Sequence, residues 1–215
     1  LDRGVVTAAA ISNVVPEAGY ALGVLCRRYF GVEPLVVGAP GVEIGVRALT
    51  ERPDEVGADR LVNALAAHRL HPGPAIVIDF GTATTFDVID RNGDYCGGVI
   101  APGANLSLEA LRMAAAKLPG VAIARPAAAL GRTTTQAMQS GVFWGYVGLI
   151  EGITARITVE QAEILGPQAQ RIATGGLAAL FADATDAIGR VAPDLTLDGL
   201  RRVYELNGGV WEKPE

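Results

Sequence analysis

The stretch VIDFGTATTFDVID (77–90) contains two runs of β-forming residues joined through Gly81 and Thr82. Apolar residues lead into Asp79, and a second carboxylate, Asp87, follows in the next run. Val, Ile, Phe and Thr suit a pleated, half-buried surface. Two such runs with a short glycine-containing link read as a hairpin. A glycine turn can also aim several backbone N–H groups at one point, and the Thr hydroxyl adds to such a nest, which suits phosphate oxygens. Asp79 at the strand end could hold a cation beside them. The string is neither GxxxxGK[ST] nor GxGxxG. On these residues alone, a plain hairpin with a solvated Asp and a phosphate cradle both stay open.

Working outward, AIVIDF, TTFDVID and YCGGVIA make three β-runs, the last two joined by RNGD, whose Asn-Gly is a strong hairpin signal. The spacing predicts a three-stranded antiparallel meander over 75–101. Upstream, GVVTAAAIS (4–12) reads as a strand. A helix follows, with Pro16 in its first turn and Gly31 at its stop, and then a second short strand in EPLVVG. This β-α-β order favours a parallel pair. Residues 39–52 read as a loop with a short strand. Residues 52–73 read as a helix with Asp54 as N-cap and Pro72-Gly73 at its end. Leu61, Val62, Leu65, Ala66 and Leu70 form its apolar stripe, and Asp59 and Asn63 share another face.

Downstream the pattern predicts a helix over 105–120 from Asn105 and a long helix over 133–157. A strand, Gly turn and helix follow in RIATGGLAALF, and a last helix in TLDGLRRVYELNGG. In the long helix Ala137, Gly141, Gly145, Gly148 and Gly152 make a smooth stripe. Each glycine costs about 0.5–1 kcal/mol relative to Ala in a helix interior, so close approach to another element is the expected reason.

The chain has 215 residues, formal net charge −5 and 50% hydrophobic residues. Mean hydropathy is +0.30 and the sequence pI is about 5.1. No run of Lys or Arg stands out, which argues against nucleic acid as partner. The longest apolar stretch, SGVFWGYVGLIEGI, is interrupted by Glu151, short of the ~20 residues a spanning helix needs. No charged-then-apolar leader is visible. Cys26 and Cys96 lie far apart and fit no metal spacing. The reading is a soluble, cytoplasmic protein with no membrane partner.

Three further strings carry candidate chemistry. Gly175 and Gly176 in TGGLA sit between a strand and a helix, where free N–H groups favour anions; such pairs are also common in α/β loops. In EVGADR (55–60), Asp59 lies early in a helix and could accept a proton from a substrate hydroxyl. Arg60 could take an acidic substrate group in a fork geometry. The plain alternative is a surface Asp-Arg pair. In GRTTTQAMQSG (131–141), three Thr precede the long helix, and Gln136 completes a capping-box-like start. His68 and His71 read as surface residues, and Trp144 and Tyr146 as core or interface.

Taken in order, EVGADR, VIDFGTATTFDVID, GGVIAPG, GRTTTQAMQSGVFWG and ATGGLA closely resemble type III pantothenate kinase, over most of the chain. The resemblance implies an α/β fold of two ribonuclease-H-like units, the actin-like ATPase fold. The first unit would occupy 1–73 with the substrate-site helix, and the second 74–215. It implies ATP-dependent phosphorylation of pantothenate, the first step of coenzyme A biosynthesis. Gly57, Ala58, Asp59 and Arg60 match the pantothenate site, with Asp59 as catalytic base. Thr134 matches a further pantothenate contact; the family often has Asn where this chain has Thr133. Asp79 matches the ligand of a monovalent cation (K+ or NH4+). Thr82 matches an ATP contact, with Gly81, Gly175 and Gly176 beside the nucleotide and Mg2+ as divalent metal. A homodimer through helix 136–157 would give the glycine stripe its reason.

Family members begin with a strand carrying a DxGNT-type turn, which this sequence lacks. The expectation is a first unit without its opening strands, about 45–50 residues at usual element lengths. The alternative is a non-catalytic accessory or regulatory protein of the same fold, or an inactive truncated kinase.

Overall fold

The computed structural model describes residues 6–114 and 120–210. Strand β1 (Ala10–Ile11) pairs in parallel with β2 (Leu35–Val36). Helix α1 (Pro16–Leu25) crosses between them, runs on as one π-helical stretch over 26–30, and stops at Gly31 with φ +70°. The expected strand at 4–12 is shorter than its pattern; its first two residues lie outside the described residues.

The next helix is corrected at its start. Residues Pro53–Glu55 form a single 3-10 turn, and α2 (Ala58–Leu70) begins after Gly57, which is its N-cap. Asp54 therefore caps nothing; it lies 3.9 Å from Arg52. Seven residues of α2, from Leu61 to Ala67, are buried without a break. A helix buried all round sits between two layers, and α2 does.

The meander appears as read: β3 (Ala75–Phe80), β4 (Ala83–Ile89) and β5 (Tyr95–Pro102) are antiparallel neighbours. The β4–β5 loop is an Asx turn, in which Asp90 Oδ1 accepts the N–H groups of Asn92 and Asp94 at 2.8 and 2.9 Å. Strands β6 (Gln170–Gly175) and β7 (Arg190–Val191) extend the other edge in parallel, giving the order β5-β4-β3-β6-β7.

Both faces of this sheet are covered. On one, Ile76, Ile78, Phe80, Phe86 and Val88 pack against α4 (Thr134–Glu160) and α6 (Ala178–Ala182). Phe181 stacks on Phe80 (5.2 Å), Phe143 (5.6 Å) and Tyr146 (5.9 Å). On the other face, Ala75, Val77, Ile89 and Ile172 meet Leu61, Ala64 and Ala67 of α2 and Leu195 of α7 (Leu195–Leu206). The opposite side of α2 and α7, through Val62, Leu65 and Val203, holds Leu35 of the small sheet and Val37 just after it. Helices α3 (Ala104–Ala114) and α5 (Ala162–Leu165) complete the elements.

Helix α4 starts as the Thr run suggested. Thr133 is its N-cap and accepts the Gln136 N–H at 3.2 Å, while Gln136 Oε1 accepts the Arg132 N–H at 2.9 Å. The helix is longer than the apolar stretch read from sequence. By length and composition it could cross a bilayer. Its residues Phe143, Tyr146, Val147, Ile150 and Ile157 lie instead in the core under the sheet. The histidines are less exposed than read: His68 packs on the Gly93 turn, with its Nδ1 buried.

The crossing of α2 and α7 depends on Gly199, where a Cβ would overlap the Val62 carbonyl oxygen. That contact is backbone and cannot rotate away. Gly199→Ala is expected to lower stability by about 1–3 kcal/mol, the usual cost of overpacking, read as a lower urea midpoint at unchanged slope.

Candidate active site

Side chains alternate across a strand, so the sheet sorts its residues by parity. In β3, Ile76, Ile78 and Phe80 go to the α4 face. Asp79 goes to the other, where it meets α2. The two-residue link at Gly81-Thr82 fixes the register, setting Asp79 opposite Thr85 and Val77 opposite Asp87. Thr85 and Asp87 therefore share the α2 face with Asp79. The first turns of α2 bring Asp59, Arg60 and Asn63 to the same place.

Two connected networks result. Asn63 is 1% exposed and donates from Nδ2 to Asp79 Oδ2 at 2.9 Å, while its Oδ1 accepts the Thr196 hydroxyl of α7 at 2.7 Å. The amide is thereby locked in one orientation. Burial pushes the Asp79 carboxyl above the usual range. The Asn63 bond opposes that shift, and the charges of Asp59 and Asp87 add to it. A cation beside Asp79 would relieve all three unfavourable contributions. Asp79 Oδ1 has no hydrogen bond among the described contacts and so keeps its lone pairs for one; it lies against Gly175, where a Cβ would come within 2.8 Å of it. Gly175 takes φ +89°. The residues present thus fit a cation at Asp79.

In the second network Arg60 turns inward. Its Nε donates to Asp87 Oδ1 at 2.7 Å, and Nη2 lies 2.6 Å from the same oxygen. Asp87 is fully buried; its Oδ2 accepts the Thr85 hydroxyl at 2.9 Å. The guanidinium sits over the Tyr95 ring, 5.4 Å from its centroid. Burial pushes the Asp87 carboxyl up, while Arg60, Thr85 and the Tyr95 hydroxyl hold it down. The Tyr95 hydroxyl is itself pushed up, first by burial and then by the Asp87 charge. The surface Asp-Arg pair considered from sequence is therefore not what forms. Asp59 instead accepts the Arg60 backbone N–H through Oδ1 at 2.9 Å and stays half-buried at the helix start. Gly57 makes room for it, since a Cβ there would lie 2.6 Å from that oxygen.

At the hairpin turn that follows Asp79 opens a cleft of about 460 Å3, lined by Phe80, Gly81, Thr82, Asn105, Leu106, Glu109, Gly176 and Leu177; Asp59, Asp79 and Asp87 are not among its lining residues. The hairpin turn is pinned from both sides. Gly81 N–H donates to Ala83 O at 3.0 Å, and Thr82 O accepts the Gly103 N–H at 3.1 Å, tying the turn to the start of α3. Three of the four residues matched to the nucleotide, Gly81, Thr82 and Gly176, line one cavity; the fourth, Gly175, backs onto Asp79. Helix α6 after the Gly pair has five residues, so its dipole is a minor contributor. Thr134 stands apart, exposed in the first turn of α4, with no described bond to α2.

The family model for type III pantothenate kinase matches residues 1–156. The chain belongs to the type III pantothenate kinase family. It is 60% identical over 207 residues to the type III pantothenate kinase of Paramagnetospirillum magneticum, covering 96% of this chain and 78% of that one. Identity to the Rhodospirillum rubrum type III pantothenate kinase is 58% over 207 residues, covering 96% and 79%. Among solved structures, a conserved Baf family protein from Campylobacter jejuni, described as a transcriptional activator, superposes with TM-score 0.60 at 19% identity. That match covers 96% of this chain and 86% of the other. A likeness at that identity speaks to the fold, a mixed α/β architecture around a central sheet.

Within this family member, several residues that complete the networks carry no signal of their own in the sequence. Thr85, Tyr95 and Thr196 read as ordinary strand and helix residues. Asn63 shares a helical face with Asp59, and Asp87 stands in the opening stretch. The hairpin register would have put Asp87 beside Asp79 once the link was known to be two residues long. Asn105 and Glu109, one turn apart on α3, reach the cleft only because Gly103 holds α3 against the turn.

Asn63 tests the first network. Asn63→Ala leaves Thr196 without its acceptor and Asp79 without its donor, and should cost about 1–3 kcal/mol. Asn63→Asp adds a like charge beside Asp79, raising carboxyl pKa values in the folded state above the unfolded ones. The folded state then binds protons more readily, so stability falls as pH rises through that window. Its destabilisation relative to wild type should be larger at pH 7 than at pH 5 in thermal melts.

Proposed function

We propose that this chain transfers the γ-phosphoryl group of ATP to the primary hydroxyl of pantothenate, giving 4′-phosphopantothenate for coenzyme A biosynthesis. The observation that carries this reading is that Asp59 and Asp79 share the α2 face of the sheet, with Asp79 one residue before the Phe80-Gly81-Thr82 wall of the cleft, at the ends of β3 and β6. Ligands of open α/β sheets bind outside the carboxyl ends of strands. The cleft suits a nucleotide, with phosphates against Gly81, Thr82, Gly175 and Gly176. Asp59 is the catalytic base: half-exposed at the start of α2, it takes the proton of the attacking hydroxyl. Gly57, Ala58 and Arg60 hold the pantothenate beside it, with Thr134 as a further contact.

Asp79 would hold a monovalent cation, K+ or NH4+, which supplies positive charge beside the transferring phosphates. A divalent ion such as Mg2+ in this chemistry is held by one or two carboxylates together with substrate phosphates. The chain's own residues contribute positioning and charge, which is most of what phosphoryl transfer requires. The reading also includes two ribonuclease-H-like units: residues 1–73, with β1, α1, β2 and the substrate-site helix α2, lacking the unit's opening strands, and residues 74–215. A cytoplasmic setting accords with the substrates.

The partner is a second copy of the chain. Gly141, Gly145 and Gly148 are exposed on α4, and a Cβ at any of them meets nothing within 4 Å. Among the described residues no element explains the stripe, and a second α4 approaching closely would.

Asp59→Asn should lower kcat by about 10²- to 10⁴-fold, the usual contribution of general base catalysis, with the melting temperature kept. Full turnover in that variant would sink the assignment. Gly145→Leu should leave the helix content intact and shift the sedimentation of the protein from dimer to monomer. An unchanged dimer would remove α4 from the interface.

A further inference from the structure

We infer that Asp87 is a positioning residue for substrate binding: it fixes the Arg60 guanidinium in the one orientation in which its remaining edge can take the substrate's carboxylate. This rests on the reading of Arg60 as a pantothenate contact.

The geometry makes a socket rather than a chance ion pair. Both Nε and Nη2 of Arg60 converge on one oxygen, Asp87 Oδ1, at 2.7 and 2.6 Å. Nη1 makes no hydrogen bond or ion pair among the described contacts. The other Asp87 oxygen is held by the Thr85 hydroxyl at 2.9 Å, so the carboxylate cannot rotate without losing a bond. The Tyr95 ring closes one face of the guanidinium. Gly98 lies against the Nη2 side of the pair. A methyl group at that position would stand 2.7 Å from Arg60 Nη2 and 2.9 Å from Asp87 Oδ1, so the strand carries no side chain where the pair passes. The Arg60 side chain is only 15% exposed and that of Asp87 0%. An arginine free in solvent would sample many rotamers, and binding would have to fix them. Here the pair fixes them beforehand. The planar fork of Arg, unlike an ammonium, can bond a buried carboxylate on one edge and a ligand on another.

The test measures pantothenate binding by calorimetry and its KM and kcat with ATP. The probes are pantothenate and its primary amide, in which a neutral carboxamide replaces the carboxylate. Asp87→Asn should raise Kd and KM for pantothenate on the order of 10- to 100-fold, the scale of misplacing a binding group by an ångström. The fall in kcat should be far smaller, and the amide should be affected little. In an Arg60→Ala background Asp87→Asn should add nothing, because the two act as one unit. Thr85→Val loosens the socket without removing its charge. It should give a smaller change of the same kind, and it decides the matter if Asp87→Asn does not fold. Equal losses for acid and amide, or a lower melting temperature with Kd and KM unchanged, would make Asp87 a structural ion pair and overturn the inference. If Arg60→Ala leaves pantothenate binding unchanged, the reading of Arg60 fails and the inference falls with it. If Arg60→Ala weakens binding while Asp87→Asn and Thr85→Val do not, only the inference fails.

Discussion

The register of the β3–β4 hairpin is the constraint on which the site depends. A two-residue link sets Asp79 opposite Thr85 and Val77 opposite Asp87. Because strand side chains have period two, one residue of slip would send every member of the α2 face to the other side. Asp79 and Asp87 would then be driven among Phe143, Val147 and Phe181, where nothing described could solvate a carboxylate. Phe80 and Phe86 would be left facing the polar residues of α2. The apolar contacts of one face and the polar networks of the other thus enforce the same pairing. Fold specification and site assembly are here one requirement.

The networks themselves are costly structures. A buried Arg–Asp pair gives weak net stabilisation, since desolvation offsets much of the attraction, and apolar replacements are often at least as stable. The Asn63 amide, bonded to both Thr196 and Asp79, is likewise buried, at 1% exposure. What both arrangements provide is direction. Each holds a polar group in one orientation with partners from separate elements: β4 and β5 for Arg60, β3 and α7 for Asn63. Helix α2 can carry these groups because it is buried all round.

Much of this was legible beforehand, and the reasons differ by residue. The meander follows from local signals: β-forming runs, a Gly-Thr link and Asn-Gly. The same holds for the α4 cap, where Thr133 and Gln136 bond as their spacing suggests. Asp79 and Asp59 stood out as carboxylates at the end of a strand and the start of a helix. The start of α2 was misread because Asp54 is a good cap in isolation. Pro53, whose fixed φ suits a turn, made it part of a separate 3-10 turn instead. The inward turn of Arg60 had no local signal at all. It depends on Asp87 from β4, Tyr95 from β5 and the missing side chain at Gly98, which are contacts across the chain. Residues that act on a site from another element are invisible to periodicity and spacing.

The glycines carry that distinction furthest. At 98, 103, 175 and 199 a Cβ would collide with atoms of this chain, and at each the collision involves backbone that positions a site element. These glycines are explained by the fold alone. At 141, 145 and 148 a Cβ meets nothing. An exposed helix interior gains roughly 0.5–1 kcal/mol per site from alanine, so stability of the single chain argues against glycine there three times over. The two sets cannot share a cause. The first is written into the chain's own packing; among the described residues nothing packs against the second, and an approaching surface is the reason proposed for it.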